Sequence, residues 1–171
     1  MKHKKTTIAI IVIAIALIAF LIQNYNYLKN YREKVDNAYS DLSIVIDKKL
    51  DISKKIYKDL NTNNYKSSYL DKLKIANKNL SDAFNISDKN KYNNQITEYI
   101  ERIEKNIKDR DYHTTENYNN LISQYNSQNE IINKSIEKYN KSVNNYNNKL
   151  STIPNNITSK LFRMKLETNY K

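Results

Sequence analysis

The chain has 171 residues, no glycine, no cysteine, one proline and a formal net charge of +11. Glycine supplies the positive φ of tight turns, so its absence argues against an all-β or dinucleotide-binding fold. The missing cysteine excludes disulfides, thiolate metal sites and a lipid-modified cysteine. The positive charge favours anionic neighbours such as lipid headgroups, wall polymers or nucleic acid. The 28 asparagines among many Lys, Ile and Tyr also carry the mark of A/T-rich codons.

Residues 1–5 form a short basic tail with Lys2, Lys4 and Lys5, and residues 8–22 are uniformly apolar. With Thr6 and Thr7 this run spans about 26 Å as a helix at ~1.5 Å per residue, near the short end of what a bilayer requires. A cleaved signal peptide is the rival reading, but its best small-x-small site, Ala14 and Ala16, would leave residues 17–22 at the new terminus. The expectation is a single-pass anchor over 6–23 and a helical domain over 24–171. The tail lysines favour a cytoplasmic N-terminus and hence an extracytoplasmic domain, blunted by Lys29, Arg32 and Lys34 on the other flank.

No helix breaker follows the anchor. Leu28, Val35, Leu42 and Ile56 continue at seven-residue intervals, with Lys49 in the fourth place, and Tyr31, Ala38, Val45 and Ile52 lie three residues after successive members. The first helix is therefore expected to run from the membrane to near Leu60, with a turn over 61–64. A second helix over 68–84 has Leu70, Leu73, Leu80 and Phe84 on one side. A polar stretch with Ser87 as N-cap precedes a third over 92–110, whose apolar face is Ile96, Ile100, Ile103 and Ile107. After a break at 111–115, capped by Thr114 or Thr115, Tyr118, Tyr125, Ile132, Tyr139, Tyr146 and Ile153 recur every seven residues. Ile122, Ile136, Val143 and Leu150 join that face four residues on. Asn119, Asn126, Asn133, Asn140 and Asn147 each follow a seam residue, a ladder of amides able to bridge to a neighbouring element. Pro154 ends the helix, and residues 157–164 form an amphipathic tail with Ile157, Leu161 and Phe162. Short links between two long and two shorter helices predict an all-α, antiparallel up-down four-helix bundle behind a transmembrane helix.

Residues that would carry chemistry are missing. His3 and His113 have no acidic residue three positions before them, so no Glu-x-x-His metal pair exists. Without glycine there is no phosphate-cradling loop. Asp47 and Asp51, surrounded by Lys48, Lys49, Lys54 and Lys55, read as a charged surface. Most tyrosines fall on seams and turn inward, which argues against a stacking platform for nucleic acid. No catalytic residue, cofactor or metal is expected.

Two blocks resemble a known family. Tyr139, Asn140, Val143, Tyr146, Asn147, Leu150, Pro154 and Asn156, with Leu161 and Phe162, resemble the C-terminal signature of LemA-family membrane proteins. Asn37, Ala38, Tyr39, Ser40 and Asp41, with Leu28, Arg32, Val35 and Leu42, resemble that family's first helix. The chain departs from the pattern where Ser53, Lys54 and Lys55 replace an Ile-Pro-Asn step, which implies a straighter helix. It departs again where Asn129, Glu130 and Ile131 stand for an acidic-Asn-Arg step. The resemblance implies an up-down four-helix bundle on a membrane anchor and no enzymatic activity. The expected role is a membrane-anchored scaffold of the cell envelope with the bilayer and an envelope protein as partners. The alternatives are a regulatory or sensory membrane subunit, or a basic surface that binds anionic lipid or wall polymer.

Overall fold

A computed structural model describes residues 2–110 and 112–170. Met1, Asp111, Lys171 and the side chains of Lys2 and His3 lie outside it. So part of the basic tail, the first residue of the 111–115 break and the last residue of the domain lie outside it as well. All regular structure among the described residues is helical: α1 Lys2–Thr62, α2 Ser68–Ser81, α3 Ile86–Asp109, α4 Glu116–Ser151 and α5 Asn155–Leu161.

α1 runs unbroken for 61 residues. Among the described residues it is the one helix long and apolar enough to cross a membrane, and none of its apolar segment is buried. It stops where Asn64 adopts φ 59° and the Tyr65 N–H turns back to the Leu60 carbonyl at 3.0 Å. This is a Schellman closure, which usually uses glycine. In a chain without glycine, asparagine fills the left-handed position, the residue type that tolerates it next best. Arg163, at φ 54°, closes α5 in the same way, with the Met164 N–H on the Ser159 carbonyl at 2.8 Å.

The Ser67 hydroxyl caps α2 by accepting the Tyr69 N–H at 3.2 Å. α2 ends at Ser81, short of Phe84, and α3 begins at Ile86, nearly two turns earlier than expected. Asn85 rather than Ser87 is the reason: its side-chain oxygen accepts the Asp88 N–H at 2.8 Å, and its amide donates to the Asp88 carboxylate at 2.7 Å. With the cap at 85, Phe84 falls in the connection and is 93% exposed instead of joining the apolar side. Thr115 caps α4, accepting the Tyr118 N–H at 2.9 Å, one of the two positions anticipated.

The chain divides into two compact units, one of Met1–Ala38 with Tyr139–Asn169, the other of Tyr39–Lys138 with Tyr170–Lys171. In the first, Leu28, Val35 and Ala38 of α1 are buried with Tyr139, Val143, Tyr146 and Leu150 of α4. In the second, α2 packs along α3. Its core takes Leu42, Ile46, Leu50, Ile56 and Leu60 from α1, Leu70, Leu73 and Leu80 from α2, and Ile96, Ile100 and Ile103 from α3. Tyr118, Tyr125 and Ile132 complete it from α4.

The seven-residue row of α1 is buried at every place, Lys49 included. Of the companions three residues on, only Ala38 is buried. Val45 and Ile52 are half-covered, and Ile46, Ser53 and Leu60, four residues after row members, take the inner positions. On α4, Leu121 is buried while Ile122 and Ile136 are half-covered. Ile153 is exposed because α4 has already ended at Ser151.

Candidate functional site: a buried lysine and a strapped C-terminal tail

Lys49 is the only charged side chain among the buried described residues, at 1% exposure. The sequence places it in a patch of surface charge with Lys48, Lys54 and Lys55. Those three are exposed, but Lys49 is not. Its position in the α1 row decides this, since that row faces inward along the whole helix. Burying an ammonium without partners would be prohibitive, and two other helices supply them. Lys49 Nζ donates to Thr97 Oγ1 of α3 at 2.6 Å and to Asn129 Oδ1 of α4 at 2.9 Å. It also lies 5.0 Å from the Tyr125 ring centroid, within cation–π range.

Every hydroxyl around it has a partner. Thr97 donates to the Asn93 carbonyl at 3.1 Å, which leaves both its lone pairs to accept from Lys49 and from the Tyr125 hydroxyl at 3.4 Å. The partners are neutral oxygens, so desolvation dominates and pushes the ammonium down to about 7, with Glu101 opposing. Burial also raises the Tyr125 phenol, so neutral forms are favoured in this core. A cavity of about 300 Å³ lies beside the cluster, lined by Asn93, Thr97, Glu101 and Asn129 among others. One turn of α1 further on, Ser53 and Asn77, both buried, form a second polar joint, with the Ser53 hydroxyl donating to Asn77 Oδ1 at 2.7 Å. Polar groups at seam positions are satisfied in one register only, so their chemistry is to specify alignment.

The residues singled out in the first helix do not form one site. Asn37 and Ser40 are exposed, Ala38 is buried, and Tyr39 is half-buried with Lys89 Nζ 6.0 Å from its ring. Asp41 pairs with Lys138 at 2.7 Å, an exposed contact of small energetic weight. Part of the C-terminal set, Tyr139 and Asn147, does converge, and on the tail after α5. Tyr139 and Tyr146 are buried and Asn140 and Asn147 half-buried. The Tyr139 hydroxyl donates to the Thr168 carbonyl at 2.9 Å. Asn147 donates to the Glu167 carbonyl at 2.8 Å and accepts the Glu167 N–H at 2.9 Å. Arg32 forms an ion pair with Glu167, bonds Asp36 at 3.1 Å, and lies 6.0 Å from the Tyr146 ring. Asn169 donates to Asn144 Oδ1 at 3.1 Å. Val143 is core. Pro154, whose peptide bond with Ile153 is cis, is exposed, and Asn156 is half-buried.

Within the amide ladder, Asn147 bridges to another element, the tail. Asn119 accepts from Thr114 locally at 3.1 Å, and Asn126 and Asn133 are exposed. Sequence reasoning missed Lys49, although its place in the seven-residue row was the signal. It also missed Thr97 and Asn129 as partners of Lys49, for which no local pattern exists.

A family model described as the LemA family matches residues 38–171. No curated protein matches the chain.

Proposed function

Because the chain belongs to the LemA family, we propose that it is a non-enzymatic, membrane-anchored scaffold. In this reading its helices form an antiparallel up-down four-helix bundle, held on the extracytoplasmic side of the cell membrane by a span over 6–23. The bundle presents its surface to an envelope protein. The observation that carries the reading is α1 itself: one helix passes from an exposed apolar segment into the buried row Leu28, Val35, Leu42, Lys49 and Ile56 without a break. A helix does not bend sharply without a proline, a glycine or an inserted group, so the domain is held close to the bilayer rather than on a flexible leash. The polar joints at Lys49 and Ser53 support a fixed, register-specific core of the kind a scaffold needs. The ionisable group in that core, Lys49, is held by the neutral oxygens of Thr97 and Asn129.

Photo-crosslinkers at exposed positions such as Ile75 and Lys141 of the full chain in intact membranes test the role. Discrete protein adducts are expected. A smear that is the same at every position, or no adduct at all, overturns the scaffold reading.

A further inference from the structure

α5 is inverted for a helix in water. An amphipathic helix of a soluble domain turns its apolar face inward. Here the buried residues are Asn155, Thr158 and Ser159, a polar stripe at spacings of three and four. The opposite face carries Ile157 and Leu161, each 60% exposed. Phe162 follows with its ring also exposed, and Ile153 and Leu166 flank the helix, both largely in the open. Outside residues 8–22, half of the large apolar side chains left exposed fall within 153–166, so this is one patch and not scattered residues.

The placement of α5 identifies what covers the patch. Asn24 Nδ2 donates to Thr158 Oγ1 at 2.7 Å, and the Tyr25 ring packs on Phe162 with centroids 4.6 Å apart. Asn24 and Tyr25 are the first residues after the apolar span. α5 is therefore pinned at the level where α1 leaves the bilayer. Tyr25, Tyr27 and Tyr31 follow the apolar segment on α1 and span about 9 Å of helix at ~1.5 Å per residue, and tyrosine is a residue type that gathers at a membrane–water boundary. Lys160, Arg163 and Lys165 are exposed around the apolar residues, which is the composition of helices that lie in an anionic interface.

The geometry points to α5 and its flanks as a second membrane contact. Ile157, Leu161, Phe162 and Leu166 enter the headgroup–acyl boundary of the leaflet from which α1 emerges, while Lys160, Arg163 and Lys165 meet lipid phosphates. The occupant is lipid rather than protein because Asn24 and Tyr25, which hold α5, directly follow residues 6–23 with their exposed apolar side chains. The inference rests on reading 6–23 as the span. With two contacts the domain is held at a fixed tilt instead of swivelling about one helix. The strap on Glu167 and Thr168 keeps the tail in place behind α5.

The chain has no cysteine, so single-cysteine variants of the full chain can carry a polarity-sensitive fluorophore in vesicles of mixed zwitterionic and anionic lipid. Labels at Ile157→Cys and Leu161→Cys are expected to show blue-shifted emission. They should lose most of it to a nitroxide placed high on the acyl chain and less to one near its end, as burial about 5–10 Å into the boundary requires. A label at Lys141→Cys should be water-like and unquenched. Ile13→Cys reports the span independently. If Ile13 is quenched and 157 and 161 are not, the α5 inference is overturned while the anchor stands. If Ile13 is unquenched, the anchor reading itself fails. Blue-shifted labels at 157 and 161 that no nitroxide lipid quenches mean that protein covers the face, and also overturn the inference.

Discussion

Asn147 and Glu167 exchange two hydrogen bonds, the amide of one meeting both backbone groups of the other at 2.8 and 2.9 Å. A side chain thus takes the place of a neighbouring strand and holds an irregular tail against α4. The pair gives the Tyr146-Asn147 step a structural role. Tyr146 fills the core, and the adjacent Asn147 sits at the edge of the same seam, where it reaches the tail.

Asn147→Ala should release that strap with little effect on the rest of the unit. Losing paired bonds at a half-buried site costs about 1 kcal/mol, or roughly fivefold in a local opening equilibrium. Hydrogen exchange of the amides at 165–169 should accelerate by about that factor, with the amides of α3 unchanged.

Lys49 makes stability depend on pH in an unusual direction. Its folded value, about 7, lies below the ordinary lysine value of 10.5. Between the two the unfolded chain binds more protons, so stability rises with pH across this window and is flat below it. Each tenfold loss of proton affinity on folding is worth about 1.4 kcal/mol. Urea unfolding in detergent from pH 7 to 10 should show a rise of a few kcal/mol. Lys49→Met should flatten it and, because the charge is no longer buried, cost little at pH 7 despite stranding Asn129.

Ser53 and Asn77 are a closed pair, and truncating one strands the other. Asn77→Ala should cost about 1–3 kcal/mol. The double variant with Ser53→Ala should cost less than the sum of the two single changes, a coupling measurable by a denaturation cycle.

The left-handed turn after α1 gives a backbone test. Asn64→Gly removes the steric cost but adds unfolded-chain freedom, and should be neutral to within about 0.5 kcal/mol. Asn64→Val cannot relieve the clash of a branched side chain and should cost about 1–2 kcal/mol.

The long elements were legible because their signal is periodic. Leu28 to Ile56, the four buried isoleucines of α3 and Tyr118 to Tyr146 repeat often enough to define a face. Single positions were not. Asn85 and Ser87 are both good caps, and only the Asn85–Asp88 exchange decides between them. Lys49 stood in the right row, yet it resembled its exposed neighbours because Thr97 and Asn129 are distant in sequence. For α5 the amphipathic pattern was evident, but a pattern locates an apolar face without saying whether protein, water or lipid lies against it. Thr158 bonded to Asn24 shows that the polar face of α5 turns inward, which the pattern alone did not.

Whether residues 6–23 hold the full-length chain in the membrane is decided by alkaline extraction of membranes from cells producing it. The whole 20.3 kDa chain is expected to stay in the membrane pellet. Release of the chain into the soluble fraction, or recovery of a product shortened by the apolar segment, would refute the anchor and the scaffold built on it.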